Sequence, residues 1–239
     1  MEIPVQLTDF TIGYDRKSLL SDVNTSFRSG TLTALLGRNG TGKSTLLRAL
    51  AGLNSHYNGT ISLFGTDMRR MSAQSLSRTL SFVSTTRQRI AAMRCRDIVA
   101  LGRAPYTNWS GNLTAADRRI VDDALQATGM SAFADRDINS LSDGECQRIM
   151  VARALAQETP IMLLDEPTGF LDLPNRYELG RLLARLAHDR GKCVVFSTHE
   201  LEIAMKTADN LAVIEPPHLH NSSTADIISS GLVSRLFAL

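Results

Sequence analysis

The chain of 239 residues lacks most of the features that would place it in a specialised class of protein. It has no charge excess: 26 basic and 24 acidic side chains leave a net +2, so bulk charge calls for neither nucleic acid nor an anionic membrane surface. Its only cysteines are Cys95, Cys146 and Cys193, far apart, with no C-x-x-C pair and no histidine at zinc spacing. That scatter argues against a disulfide framework and for a reducing compartment. No apolar run approaches the roughly 18 residues that cross a bilayer. The opening MEIPVQLTDF lacks the basic and apolar regions of a secretory signal. Any service to a membrane is therefore expected from the cytosolic side, through a partner. Internal repeats are also absent. What remains is an ordinary globular composition, 43% hydrophobic and 21% charged, long enough for one large domain or a domain carrying an inserted subdomain.

Periodicity orders this material. VQLTDFTIGY, DVNTSFR and TLTALLG read as strands, β-branched and bounded by Gly, Asp or Ser. STLLRALAGL has helical apolar spacing and stops at Gly52. NGTISLFG and LSFVS are further short strands. Between about residues 90 and 140 the character changes: TAADRRIVDDALQATGM opens with Thr114 and Asp117 at capping-box spacing and keeps helical period to Gly129. With no strand readable there, this stretch is expected to be an inserted helical subdomain. IMLLD, ELGRLLARLAHDRG, CVVFSTH and NLAVIE then alternate strand and helix, which implies a parallel sheet wound by helices. Residues 216–239 are polar and mixed, with no assigned role.

Three stretches carry chemistry. GRNGTGKST comprises Gly37, Arg38, Asn39, Gly40, Thr41, Gly42, Lys43, Ser44 and Thr45, and matches G-x-x-x-x-G-K-[ST] between a strand and a helix. Its glycines let successive N–H groups face phosphate oxygens. Lys43 is expected to reach the β- and γ-phosphates and Ser44 to ligate Mg²⁺, so this loop binds a nucleoside triphosphate. IMLLDEP ends in two acids; alone it is as readily a turn, but beside such a loop Asp165 becomes a Mg²⁺ partner and Glu166 the base that polarises water. CVVFSTHE offers His199. A lone strand-end histidine is commonly structural, yet here it joins Lys43 and Glu166 at the carboxyl edge of a sheet, where ligands bind, and a γ-phosphate contact is expected. LSDGECQR, residues 141–148, opens a further helix. Unpaired N–H groups suit a phosphate there, while Asp143 and Glu145 oppose one, so the stretch reads as a phosphate site, as one those acids have ruined, or as a plain cap.

The loop at 37–45, LSDGE, LLDEP, GFLD and STH, in this order, resemble the ATP-binding cassette (ABC) ATPases over about residues 3–215. RDIVALGRAPYTNW, residues 96–109, is similar to a segment of the cassettes that serve importers of iron-siderophore complexes, haem and vitamin B12. The resemblance implies an α/β P-loop NTPase fold with an N-terminal antiparallel β-subdomain, an inserted helical subdomain at about 90–140, and a tail of unknown role after 215. It implies ATP and Mg²⁺ as cofactors, with Tyr14 stacking on adenine. Leu141, Ser142, Asp143, Gly144 and Glu145 form the signature that contacts ATP held by the opposite subunit, and Asp172 lies in the loop linking the two sites. The implied assembly is a head-to-tail homodimer on two transmembrane permease subunits at the cytoplasmic face of the inner membrane. It serves a substrate-binding protein indirectly and involves no nucleic acid. The function implied is ATP hydrolysis that energises chelate import. A soluble cassette that remodels another complex, or a non-hydrolysing structural subunit, stands as the alternative.

The family pattern is broken at three places. Asp143 replaces a Gly and Glu145 a Gln of the signature, leaving Ser142 and backbone N–H groups as its donors. A bare carboxylate ~4 Å from a γ-phosphate costs about 4 kcal/mol at an effective dielectric near 20, so Asp143 is expected to be turned away or paired, for instance with Arg148. The Gln that reaches Mg²⁺ aligns with Thr85; Gln88 serves if the loop is remodelled. Arg87, Arg89, Arg94 and Arg96 then read as a solvated face or as a docking surface for a channel helix. Tyr106 and Trp109 belong either to that surface or to the packing of the helical subdomain.

Overall fold

The alternating VQLTDFTIGY becomes strand β1 (Val5–Tyr14), whose Val5, Leu7, Phe10 and Ile12 turn inward. It pairs antiparallel with β2 (Lys17–Phe27). The next strand, β3 (Thr31–Leu36), is apolar almost throughout because it is covered on both faces. It feeds helix α1 (Lys43–Leu50), and the chain then turns at Gly52 with φ +72°. β4 (Asn58–Leu63) returns to the free edge of β1, and β5 (Thr66–Asp67) closes an antiparallel sheet of order β2-β1-β4-β5. Helix α2 (Ala73–Thr79), capped by Ser72, leads into β6 (Leu80–Val83). The structure is a computed structural model and describes residues 2–14, 17–84, 93–108, 111–169 and 171–237.

From residue 93 the chain is helical: α3 (Cys95–Ala100), a 3₁₀ turn (Leu101–Tyr106), α4 (Ala115–Ala127) and α5 (Asp143–Ala156). Among the described residues of this stretch the only β pairing is an isolated bridge between Arg94 and Asp137. Thr114 and Asp117 form a reciprocal capping box on α4. The segment ALGRAPY joins these helices to one another and, through Pro105 O, which accepts from Arg78 Nε and Nη2, to α2. Buried Arg103 donates from Nε to Asp117 at 2.9 Å, and from Nη1 to Ala156 O and Glu158 Oε2, each at 2.8 Å. Gly102 lies so close to α5 that a Cβ there would stand 2.2 Å from Arg153 O. Tyr106 donates to Gln157 O at 3.0 Å and lies under the Arg103 guanidinium at 4.2 Å. It therefore packs inward, while Trp109 lies outside the described residues.

β7 (Ile161–Leu164), α6 (Leu173–Arg190), β8 (Cys193–Thr198), α7 (Leu201–Thr207) and β9 (Asn210–Glu215) then alternate. β3, β6, β7, β8 and β9 run parallel within the second sheet, and the last strand, β10 (His218–Ser223), pairs antiparallel with β9. The order is β10-β9-β3-β8-β7-β6. Neighbouring side chains of one strand serve opposite cores: Met162 and Leu164 face α5 and α6, whereas Ile161 and Leu163 face α1 and the antiparallel sheet. Residues beyond 215 continue the domain. Asn221 Nδ2 donates to Thr25 Oγ1 and Ser26 O, each at 3.0 Å. Ile227 of α8 (Thr224–Ser229) and Val233 of α9 (Leu232–Phe237) are buried. Among the described residues no helix is long and apolar enough to cross a membrane.

Candidate nucleotide site

The loop after β3 opens α1 without a side-chain cap: Gly42 occupies the N-cap with φ +105° and the first turn carries no acid. The N–H groups there have no side-chain cap, and a helix opening of that kind suits an anion. A left-handed residue is needed, and a Cβ on Gly42 would also press Leu19 Cδ1 at 3.2 Å. Thr41 Oγ1 donates to Arg38 O at 2.8 Å and tightens the loop. Lys43 is only 5% exposed. Its ammonium donates to Gly37 O at 2.9 Å and Arg38 O at 3.4 Å and stands 3.7 Å from Glu166 Oε1.

Parallel register brings the other groups to the same edge. Leu36 is paired with Thr198 and Leu164 with Phe196, so the residues following β3, β7 and β8 emerge side by side. Asp165, 1% exposed, accepts at Oδ1 from Ser44 Oγ at 2.9 Å and Ser197 Oγ at 2.8 Å. Glu166 holds φ +45° and donates its N–H to Ser197 Oγ at 2.8 Å. Its carboxylate lies between Lys43 and the half-exposed His199, whose Nδ1 is 3.8 Å from Oε1. A cavity of about 500 Å³ is lined by Tyr14, Asn39, Gly40, Ser44, Thr45 and Glu166 among others. Tyr14, 56% exposed, stands with its OH 3.2 Å from Thr45 Oγ1.

This arrangement offers a cation and backbone donors for phosphate, and an oxygen-only pair, Ser44 and Asp165, of the kind a hard divalent cation takes. It also offers a carboxylate placed to accept a proton from water. Ser197 was missed by sequence reasoning. Its signal was a pair of hydroxyl residues, Ser197 and Thr198, ending an otherwise apolar strand whose every residue is buried.

The N-terminus of α5 is built differently. Ser142 is its N-cap, and Glu145 Oε2 accepts both the Ser142 N–H at 2.7 Å and the Ser142 hydroxyl at 2.8 Å. Those two bonds, the backbone one foremost, hold the Glu145 carboxyl below its ordinary value. Of the expected phosphate donors of LSDGE, those of Ser142 are thus engaged by a side chain of the same motif, because Glu at the third helical position closes a capping box as readily as it occupies a signature. Asp143 is exposed, and Arg148 pairs with Glu178. Asp172 caps α6, accepting from Asn175 N–H at 3.2 Å and Nδ2 at 2.6 Å, and that asparagine also lies against Gly144. None of residues 141–145 lines the cavity at α1. Thr85, Gln88, Arg87 and Arg89 lie outside the described residues. Arg94 and Arg96 are ion-paired within the helical part, to Asp135 and Asp122 respectively.

The family described as "ABC transporter" matches residues 20–169. The achromobactin transport ATP-binding protein CbrD of Dickeya dadantii is 34% identical over 97% of this chain and 86% of its own. The iron(3+)-hydroxamate import ATP-binding protein FhuC of Bacillus subtilis is 32% identical over 95% of this chain and 85% of its own. Among solved structures, a chain of an inward-facing metal-chelate type ABC transporter superposes with a TM-score of 0.87 at 29% identity, covering 100% of this chain and 90% of that one.

Proposed function

The chain belongs to the ABC transporter family as an ATP-binding, ATP-hydrolysing subunit, and from that premise we propose that it powers import of a metal chelate of the siderophore, haem or cobalamin class. The names of its relatives, achromobactin transport and hydroxamate import, support the cargo class. The working unit is a head-to-tail pair of these chains on two transmembrane permease subunits. Each ATP lies between the Gly37–Thr45 loop of one copy and residues 141–145 of the other. That no residue of 141–145 borders the cavity in its own chain supports the exchange.

Within this reading Tyr14 stacks on the base, the α1 N–H groups and Lys43 hold the phosphates, and Asp172 links the paired sites. Ser44 and Asp165 hold Mg²⁺, which neutralises phosphate charge when bound. Glu166 takes the proton of the attacking water while His199 steadies the γ-phosphate. The observation that carries the reading is the Glu166 carboxylate set between Lys43 and His199, at 3.7 and 3.8 Å, on the wall of the phosphate cavity. Glu166→Gln keeps the shape and removes the base, so turnover falls roughly 10²–10⁴-fold while ATP still binds. Phosphate release and sedimentation in Mg-ATP check this: the variant accumulates as an ATP-bound dimer. A variant that hydrolyses at the wild-type rate overturns the assignment of Glu166.

A further inference from the structure

We propose that Ser197 is a positioning residue for this hydrolysis, a single buried hydroxyl that sets both the Asp165 carboxylate and the Glu166 backbone. The proposal rests on the roles given above to those two acids. Ser197 is 0% exposed, in the middle of the parallel sheet, and its register partner on β3 is Leu35. A hydroxyl has one proton to give and lone pairs to receive. Here the proton goes to Asp165 Oδ1 and a lone pair receives the Glu166 N–H, each at 2.8 Å. The two bonds run in series from amide to hydroxyl to carboxylate, an arrangement in which each polarises the next.

Both ends of that series need holding. Glu166 sits at φ +45°, a conformation that side chains other than glycine adopt only when the surroundings impose it. The bond from its N–H to a strand residue is such an imposition, and it aims the carboxylate toward Lys43 and His199. At the other end Asp165 Oδ1 accepts from two hydroxyls. Ser44 lines the cavity and is the one able to turn toward a ligand, whereas Ser197 is fixed in β8. When Ser44 turns, Ser197 still fixes the carboxylate. Groups that orient a metal-binding carboxylate in this way tune the site without touching the metal.

The test uses the full chain carrying Ser197→Ala, Ser197→Cys or Ser197→Thr. It measures affinity for a non-hydrolysable ATP analogue in Mg²⁺ and in EDTA, kcat and KM for ATP, and melting temperature without nucleotide. For Ser197→Ala the affinity in EDTA stays within about twofold of wild type, while the gain from Mg²⁺ shrinks about tenfold and kcat falls more than KM rises. Ser197→Thr restores both, since it keeps the hydroxyl. Should Ser197→Ala fail to fold, the near-isosteric Ser197→Cys, a weak donor, carries the same expectation. Equal loss with and without Mg²⁺, no loss at all, or a threonine variant no better than the alanine one overturns the proposal. A wild type that gains nothing from Mg²⁺ overturns the Mg²⁺ assignment of Ser44 and Asp165 first, and the proposal with it.

Discussion

The N-termini of α1 and α5 start from similar material and reach opposite states. Both follow a loop containing serine or threonine, and both put a glycine in or beside the first turn. At α1 the N-cap is Gly42, no side chain caps the first N–H groups, and the Lys43 ammonium and the Asp165 carboxylate both stand at that turn. At α5 the cap is Ser142, the first turn carries Asp143 and Glu145, and the glutamate closes a complete capping box. A helix that caps itself has met its own electrostatic demand, while one that opens on glycine leaves the demand to an anion. The difference teaches that two helix openings with similar letters can present opposite electrostatics, since at α5 the Ser142 N–H and hydroxyl already answer to Glu145.

The sharpest way to break this comparison is to unsettle α5 without touching α1. Arg103 ties the far end of α5, at Ala156, to buried Asp117 and to Glu158. Arg103→Met removes the cation beside buried Asp117, which keeps its two bonds from Thr114, and costs about 3 kcal/mol of stability. Denaturant midpoints should fall while ATP affinity of the folded protein, read by titration, is retained; parallel loss of both would show the two helices to be one unit.

Next in size is the same substitution at each mouth. Gly42→Ala forces φ +105° and the Leu19 contact on an alanine, a strain of about 1–3 kcal/mol that appears as weaker ATP binding when the loop shifts to relieve it. Gly144→Ala meets only the Asn175 side chain, at 3.3 Å, with no positive φ. ATP affinity of the single chain should then change by less than about 0.5 kcal/mol, as for substitutions away from special backbone sites. Isothermal titration of both variants gives the contrast directly.

The smallest effect concerns charge alone. Glu145→Gln keeps the box, since Gln also serves at that position, and removes a negative charge worth about 1 kcal/mol at ~4 Å in water. ATP-driven dimerisation in a Glu166→Gln background should tighten roughly fivefold, less at high salt, as sedimentation would report. The pH dependence follows from the lowered carboxyl. Its folded value lies below the ordinary 4.5, so the stability it contributes is complete above 4.5 and is lost as pH falls through the folded value. Across roughly pH 6–8 the cap should contribute no pH dependence to melting.

Much of the architecture was legible because its causes are local. β7 announces itself as an unbroken apolar run and β3 and β8 as largely apolar ones, and Thr114 with Asp117 marks the start of α4 at the right spacing. The tail was not legible. HLHNSS has polar residues where a strand usually shows apolar ones, and it forms β10 because β9 offers an edge and β2 offers Thr25 and Ser26 to Asn221. Nor could the segment GRAPY be understood from its spacing. It resembled a mark of cargo class, and what the spacing did not show is that it is also a joint whose partners lie 14 to 55 residues away.

The sequence by itself determined the glycine loop, the lysine and serine that follow it, the two acids after β7 and the histidine after β8, since a strand, its end and the next residue are fixed by short-range backbone geometry. Only the tertiary structure decided what those groups do to one another. Lys43, Glu166 and His199 come within 4 Å in pairs because parallel register aligns strand ends far apart in the chain. Ser197 couples the two acids that follow the neighbouring strand β7. The spacing of Ser142 and Glu145 allows either a signature or a capping box, and the structure holds the capping box.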